Sequence, residues 1–235
     1  MVFPPPTPAL RKMLLLLCAG YIVSMLAIRG GAGVFVTHLD LQSGAVIEGQ
    51  VWRLLSYGLL HDGVGHLIGN LLLFYFFGLD IERQFGSKRL WLIAALCIIG
   101  GGVLATLSAI MGLSTSNPVI GASGGGLGLL VCWCLLHARR SISLFGILPL
   151  TGKQLLFLSV GLEILLAVSP GGASSSAAHI GGMLSGWALI TGASNPMRWR
   201  QKMRLAKLRR QMKNKRKPDL SVLPGGKSDK DPWVH

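Results

Sequence analysis

Carboxylates are scarce in this chain. Only 9 of its 235 residues are Asp or Glu, and Asp, Glu, Lys and Arg together make up 14%. Water-soluble domains carry roughly 25% charged residues, so this supply is too thin to cover one. The four cysteines (Cys18, Cys97, Cys132 and Cys134) all fall inside apolar runs, and their spacing fits neither a metal site nor a disulfide framework. They read as small buried residues. No internal repeat is clear enough to mark an inverted-repeat transporter.

What is abundant points one way. Hydrophobic residues make up 51% of the chain, and the mean hydropathy is +0.54. That composition belongs to an all-α, polytopic membrane protein. Six apolar runs are long enough to draw as spans: Met13 to Ile28, then about 64–79, 89–111, 123–138, 154–168 and 177–193. Several are nearer 16 than 20 residues, short for a hydrocarbon core about 30 Å thick, so they would thin the bilayer around them. The first run, behind Arg11 and Lys12, also resembles a signal peptide, but no small-x-small cleavage site follows it. It is taken as a span.

The expected organisation is a lead-in over 1–12, a six-helix membrane domain over 13–193 and a basic tail over 194–235. Between the first two spans, residues 29–62 are too broken by Gly and polar residues to cross a bilayer, yet they hold Phe35, Val51, Trp52 and Tyr57. This stretch is expected to lie as a loop in the membrane interface. Positive charge collects on one side: Arg11 and Lys12, Arg83, Lys88 and Arg89, Arg139, Arg140 and Lys153, and the tail. Only Arg29 and Arg53 fall on the other. The positive-inside rule then makes both termini cytoplasmic. Eleven of the 23 Lys and Arg lie between Arg198 and Lys217, with no acidic residue among them. That tail is read as a helix meeting anionic inner-leaflet lipids, and no nucleic acid is expected as a partner, because no recognition motif accompanies the charge.

Polar side chains inside spans are functional suspects, because burying them in lipid is expensive. His66 and Asn70 stand at i and i+4 near the outer end of the second span. Ser123 sits near the outer end of the fourth and His179 near that of the sixth. Four polar groups on three helices thus share a depth. Glycine-lined faces, Gly124 and Gly128 on one helix and Gly182 and Gly186 on the other, offer Ser123 and His179 a way to meet. Such faces also hold bundles together with no chemistry attached. Glu163 is the intramembrane carboxylate of the fifth span, and nothing in the sequence places it near His179.

Taken together, Gly121-Ala122-Ser123-Gly124, Ala178-His179-Ile180-Gly181-Gly182, His66-Leu67-Ile68-Gly69-Asn70, Trp52-Arg53 and Glu82-Arg83-Gln84-Phe85-Gly86-Ser87 resemble the rhomboid intramembrane serine proteases. The resemblance runs from about Trp52 to Gly186. It implies a six-helix rhomboid-like bundle and a Ser–His dyad without a third acid. In that scheme Ser123 is the nucleophile and His179 the general base, and His66, Asn70 and the Ser123 backbone N–H bind the oxyanion. It also implies transmembrane proteins as substrates, cut in or beside their spans, with no metal or organic cofactor. The compact form points to a bacterial inner membrane. Trp52 and Arg53 are expected to anchor the first loop, Glu82 to tie down a cytoplasmic loop, and His61 to be structural. Two positions depart from the family pattern: Leu127 stands where an aromatic residue usually stacks on the catalytic histidine, and Gly69 where a bulky residue often precedes the asparagine. These departures keep a second reading open, a rhomboid-like protein that binds or escorts membrane clients without cutting them.

Overall fold

The computed structural model describes residues 4–114, 118–144 and 148–192. The basic tail, with its expected helix, lies outside the described residues. The first helix, α1, runs Pro8–Arg29 and starts five residues before the apolar run does. Proline is well suited to the first helical position, where its missing N–H is no loss. The free N–H groups of that turn find a remote acceptor in Glu82, which takes hydrogen bonds from Ala9 N at 3.0 Å and Leu10 N at 2.8 Å. The Thr7 hydroxyl donates to the same carboxylate, as does Ser87 Oγ at 2.7 Å. Glu82 thus caps α1 as well as pinning the turn at Ser87, more than the loop-tying role expected of it.

The segment expected to be an irregular interface loop carries three short helices, α2 (Gly33–Thr37), α3 (Ser43–Ile47) and α4 (Arg53–Ser56), and a 3-10 turn at Tyr57–Leu59. Arg53, only 4% exposed, is its centre. Its guanidinium pairs with Asp40 at 2.8 Å and donates to the Thr37 carbonyl at 2.8 Å and to Gln50 Oε1 at 2.7 Å. A buried cation is tolerable when it is paired and its remaining N–H groups are satisfied. Trp52 contributes an indole N–H to the His38 carbonyl at 3.1 Å while its ring stays exposed. Both residues therefore anchor the loop as expected.

Five longer helices follow: α5 (Val64–Phe85), α6 (Ser87–Ile110), α7 (Ser123–Leu136), α8 (Gly152–Ala167) and α9 (Ala173–Thr191). Together with α1 they occupy the six apolar runs. Among the described residues, however, only α1, α5 and α6 are long and apolar enough by length and composition to cross a membrane. At 14 residues α7 reaches about 21 Å, well short of a hydrocarbon core of about 30 Å. Helix α9 is long enough at 19 residues but opens Ala-Ser-Ser-Ser. The core sits around α7, whose residues Leu129 to Cys134 are all buried, as expected for a helix apolar on every face. Cys97, Cys132 and Cys134 are buried free thiols.

One element departs from an all-α reading. Between α7 and α8, β1 (Ser141–Leu144) pairs antiparallel with β2 (Leu148–Thr151). The polar and apolar residues of Ser141-Ile142-Ser143-Leu144 alternate with period two, which is the strand signature. The hairpin ends at Thr151, whose side chain and that of Gln154 form a capping box that starts α8.

Candidate active site

Helix α7 begins at Ser123, after a segment that is held from two sides. Leu41 and Val119 exchange backbone hydrogen bonds of 3.0 Å, and Gly121 N donates to the Tyr57 carbonyl at 2.9 Å. Gly121 itself has φ +116°, in the region that favours glycine. It is also packed so tightly that an added Cβ would lie 2.5 Å from His66 Nε2. The backbone conformation therefore favours glycine two residues before the serine, and a Cβ there would also press on the His66 ring.

The other wall is α9, which lies directly on α7. An added Cβ on Gly182 would come within 2.1 Å of the Gly124 carbonyl oxygen, and one on Gly186 within 2.3 Å of the Gly128 oxygen. The backbones meet with no room for a side chain, as small-xxx-small faces permit. The consequence is the contact sought in the sequence: Ser123 Oγ and His179 Nε2 lie 2.7 Å apart. A hydroxyl at that distance from an imidazole nitrogen can pass its proton to the ring as it attacks.

His66 and Asn70 converge on the same place. Added to Gly121, a Cβ would also lie 3.6 Å from Asn70 Nδ2, so both side chains flank the segment leading into Ser123. Asn70 is 2% exposed, and its Nδ2 has no hydrogen-bond partner among the described residues. A buried amide donor without an acceptor is costly, and the arrangement is suited to an acceptor that arrives with a substrate. His66 Nδ1 donates to Asp62 Oδ1 at 2.7 Å, which leaves Nε2 as the nitrogen facing Gly121. With Nδ1 so engaged, Nε2 donates to an oxyanion when the ring carries both protons. The Ser123 N–H is in the first turn of α7, where it has no acceptor within the helix.

One reading of the sequence is overturned. Glu163 of α8 lies against the histidine: His179 Nδ1 donates to Glu163 Oε2 at 2.9 Å. A short link between α8 and α9 turns the chain back on itself, with Gly171 at φ +77° in the turn. Glu163 and His179 are each eight residues from Gly171, so two antiparallel helices rising about 1.5 Å per residue bring them to one depth. That equidistance is the signal available in the sequence.

Of the two departures from the family pattern, Gly69 is open, with nothing within 4 Å of an added Cβ. Leu127 is half-buried and packs against the main core cluster. Among the described residues no group of three or more His, Cys, Asp or Glu is placed to hold a metal ion.

His61 lies edge-on to His66, ring centroids 5.2 Å apart, with neither ring nitrogen hydrogen-bonded among the described residues. Burial, reinforced by the neighbouring His66, pushes its imidazole from 6.5 down to about 4. Between those values the unfolded chain binds a proton that the folded one excludes. Stability is therefore full above about 6.5 and is lost as pH falls towards about 4. Thermal melts in detergent across that window should show Tm falling with acidification, and His61→Asn should flatten the slope. An unchanged slope in the variant would remove His61 as its source.

A serine and a histidine hydrogen-bonded across glycine contacts, within a bundle of apolar helices, place this chain in the class of helical membrane proteins. Residues 48–195 match the rhomboid domain, and the chain belongs to the rhomboid family. It is 33% identical over 153 residues to RHOMBOID-like protein 4 of Arabidopsis thaliana, covering 61% of this chain and 34% of that protein. It is 34% identical over 152 residues to RHOMBOID-like protein 2 of the same plant, covering 61% and 43%. Rhomboid-related protein 2 of Mus musculus is 28% identical over 147 residues, covering 60% and 47%. The chain thus spans less than half the length of these relatives. As plant and mouse proteins, they lend nothing to the expectation of a bacterial inner membrane.

Proposed function

We propose that this protein is an intramembrane serine endopeptidase that hydrolyses peptide bonds in or beside the transmembrane segments of other proteins. The observation that carries the reading is the 2.7 Å contact between Ser123 Oγ and His179 Nε2 at the end of the bundle where Asn70 offers an unused donor. Ser123 Oγ attacks the scissile carbonyl carbon while its proton passes to His179 Nε2. The carbonyl oxygen takes up the negative charge beside Asn70 Nδ2, His66 Nε2 and the Ser123 N–H. As the tetrahedral intermediate collapses, the C–N bond breaks, and Nε2 returns the proton to the leaving amine. Water then repeats the sequence on the acyl-enzyme, with His179 again as base.

In this reading all six longer helices span, the shorter ones in a locally thinned bilayer, with the loop charges setting both termini on the cytoplasmic side and the site towards the outer leaflet. A hollow lined by His, Asn and Ser can hold the water that hydrolysis consumes. Substrates would enter laterally and unwind to present an extended peptide bond, while the basic tail meets anionic lipids.

Fluorophosphonate labelling of the detergent-solubilised protein tests the proposal. A label on Ser123 that disappears in Ser123→Ala supports it. A label retained in that variant points to another nucleophile, and no label on the folded wild type leaves the client-binding reading in its place. The oxyanion assignment has its own test: His66→Ala and Asn70→Ala should each lower kcat by about 10²- to 10³-fold with little change in KM. A pure KM effect would reassign them to substrate binding.

A further inference from the structure

The histidine is held by more than its serine. Among the described residues, Glu163 is the carboxylate hydrogen-bonded to His179, and it accepts from the nitrogen opposite the one that faces Ser123. The two side chains differ in accessibility, 21% for His179 and 7% for Glu163, so the acid is shielded while the ring keeps some exposure. A carboxylate in lipid-facing surroundings is costly unless something on the protein repays it. Here α8 presents otherwise apolar residues around Glu163, from Leu155 to Leu166, broken by Ser159 and Gly161. Ser159 turns its hydroxyl back to the Leu155 carbonyl at 2.8 Å, so Glu163 stands apart as the polar group directed at the neighbouring helix.

We propose that Glu163 is a positioning residue for the Ser123–His179 pair, making a hydrogen-bonded Ser123–His179–Glu163 line in place of a two-residue centre. The inference rests on the serine-protease reading above. Its chemistry follows from which nitrogen carries the proton. With Nδ1–H donating to Glu163, the neutral ring has its lone pair on Nε2, aimed at Ser123 Oγ, and is ready to accept. After proton transfer the ring is cationic, and the ionised carboxylate 2.9 Å from Nδ1 stabilises it without taking the proton. Glu163 also supplies rigidity. Leu127 offers no aromatic face to stack on the imidazole, and a hydrogen bond at Nδ1 fixes the ring plane by other means.

Glu163→Gln is the sharpest variant, since it keeps the shape but can turn an amide N–H towards Nδ1. That would place the ring proton on Nε2, where it donates to Ser123 and cannot accept. In a buried aspartate of a soluble Ser–His–Asp protease the equivalent exchange costs about 10⁴-fold. The His179 ring here keeps 21% exposure, so kcat on a membrane-embedded substrate should fall by the smaller factor of about 10²- to 10³-fold, with KM nearly unchanged, and Glu163→Asp should recover most of the loss. ¹⁵N-histidine NMR of the wild type provides a readout that does not depend on any variant folding: His179 should be the Nδ1–H tautomer when neutral. Wild-type kcat in Glu163→Gln, or an Nε2–H tautomer in the wild type, would overturn the inference. If Ser123→Ala is inactive while Glu163→Gln cuts at the full rate, the protease reading stands and this one fails. Should Ser123→Ala remain active, another group is the nucleophile, and the Ser123–His179–Glu163 line falls with the serine.

Discussion

Ser123→Ala and His179→Ala should each reduce cleavage of a membrane-embedded substrate to background, and the double variant should be no slower than either single one. The serine cannot attack without losing its proton, and the histidine has nothing to activate without the serine. Removing either group removes the whole step. In a soluble serine protease such losses reach the order of 10⁶-fold in kcat and do not add. Steady-state rates of the three variants, measured in proteoliposomes at equal protein, check this. A double variant slower than both singles by the product of their effects would mean that the two side chains act separately, and the 2.7 Å contact would not be the reacting one.

Stability should separate the two single variants. Ser123 is half-buried at the start of α7, and its hydroxyl can be removed with little lost packing. His179→Ala instead leaves Glu163 buried without its donor, at a cost of about 1–3 kcal/mol. His179→Gln, whose amide can still donate to the carboxylate, should melt closer to the wild type while remaining inactive.

Why the sequence disclosed some of this and not the rest follows from the range of each signal. Apolar runs report a helix because every residue in them must avoid water or lipid in the same way, so the six longer helices were legible to within a few residues. Helix ends were less so. The start of α1 at Pro8 depends on Glu82 in α5, 73 residues from Ala9 and 72 from Leu10, and no local pattern announces a cap supplied from that distance. The short helices α2 to α4 form around the buried guanidinium of Arg53, again a tertiary cause. The site was legible where polarity and glycine spacing coincided: Ser123, His179, His66 and Asn70 all stood out against apolar neighbours. Glu163 stood out equally. Its partner is not legible there, because a linear pattern gives depth more readily than rotation about the helix axis, and rotation decides whether a carboxylate faces lipid or a histidine. The β1–β2 hairpin is hard to read from the sequence, because a four-residue alternation is too short to outweigh the surrounding helical pattern.

The claim that glycine contacts assemble the site can be broken by one methyl group. In Gly182→Ala the new Cβ would sit 2.1 Å from the Gly124 oxygen, 2.6 Å from its carbonyl carbon and 2.7 Å from its Cα. No rotamer relieves a clash between a Cβ and a neighbouring backbone, so α9 must move off α7 by about an ångström. Overpacking of this kind costs about 1–3 kcal/mol or more. The same movement acts on chemistry, since Gly124 adjoins Ser123 and Gly182 lies one turn from His179. A misplacement of about 1 Å between reacting groups costs of the order of 10²-fold in rate, so kcat should fall by at least that much. Gly186→Ala meets the Gly128 oxygen at 2.3 Å, but two turns from His179. It should destabilise to a similar degree with a smaller loss of rate. Gly161→Ala on α8, where nothing lies within 4 Å, should be neutral or up to about 1 kcal/mol more stable through helix propensity alone. Melting temperatures and single-turnover rates of the three proteins order these effects. If Gly182→Ala matches Gly161→Ala in both, α7 and α9 are not in backbone contact, and the serine and histidine owe their meeting to something else.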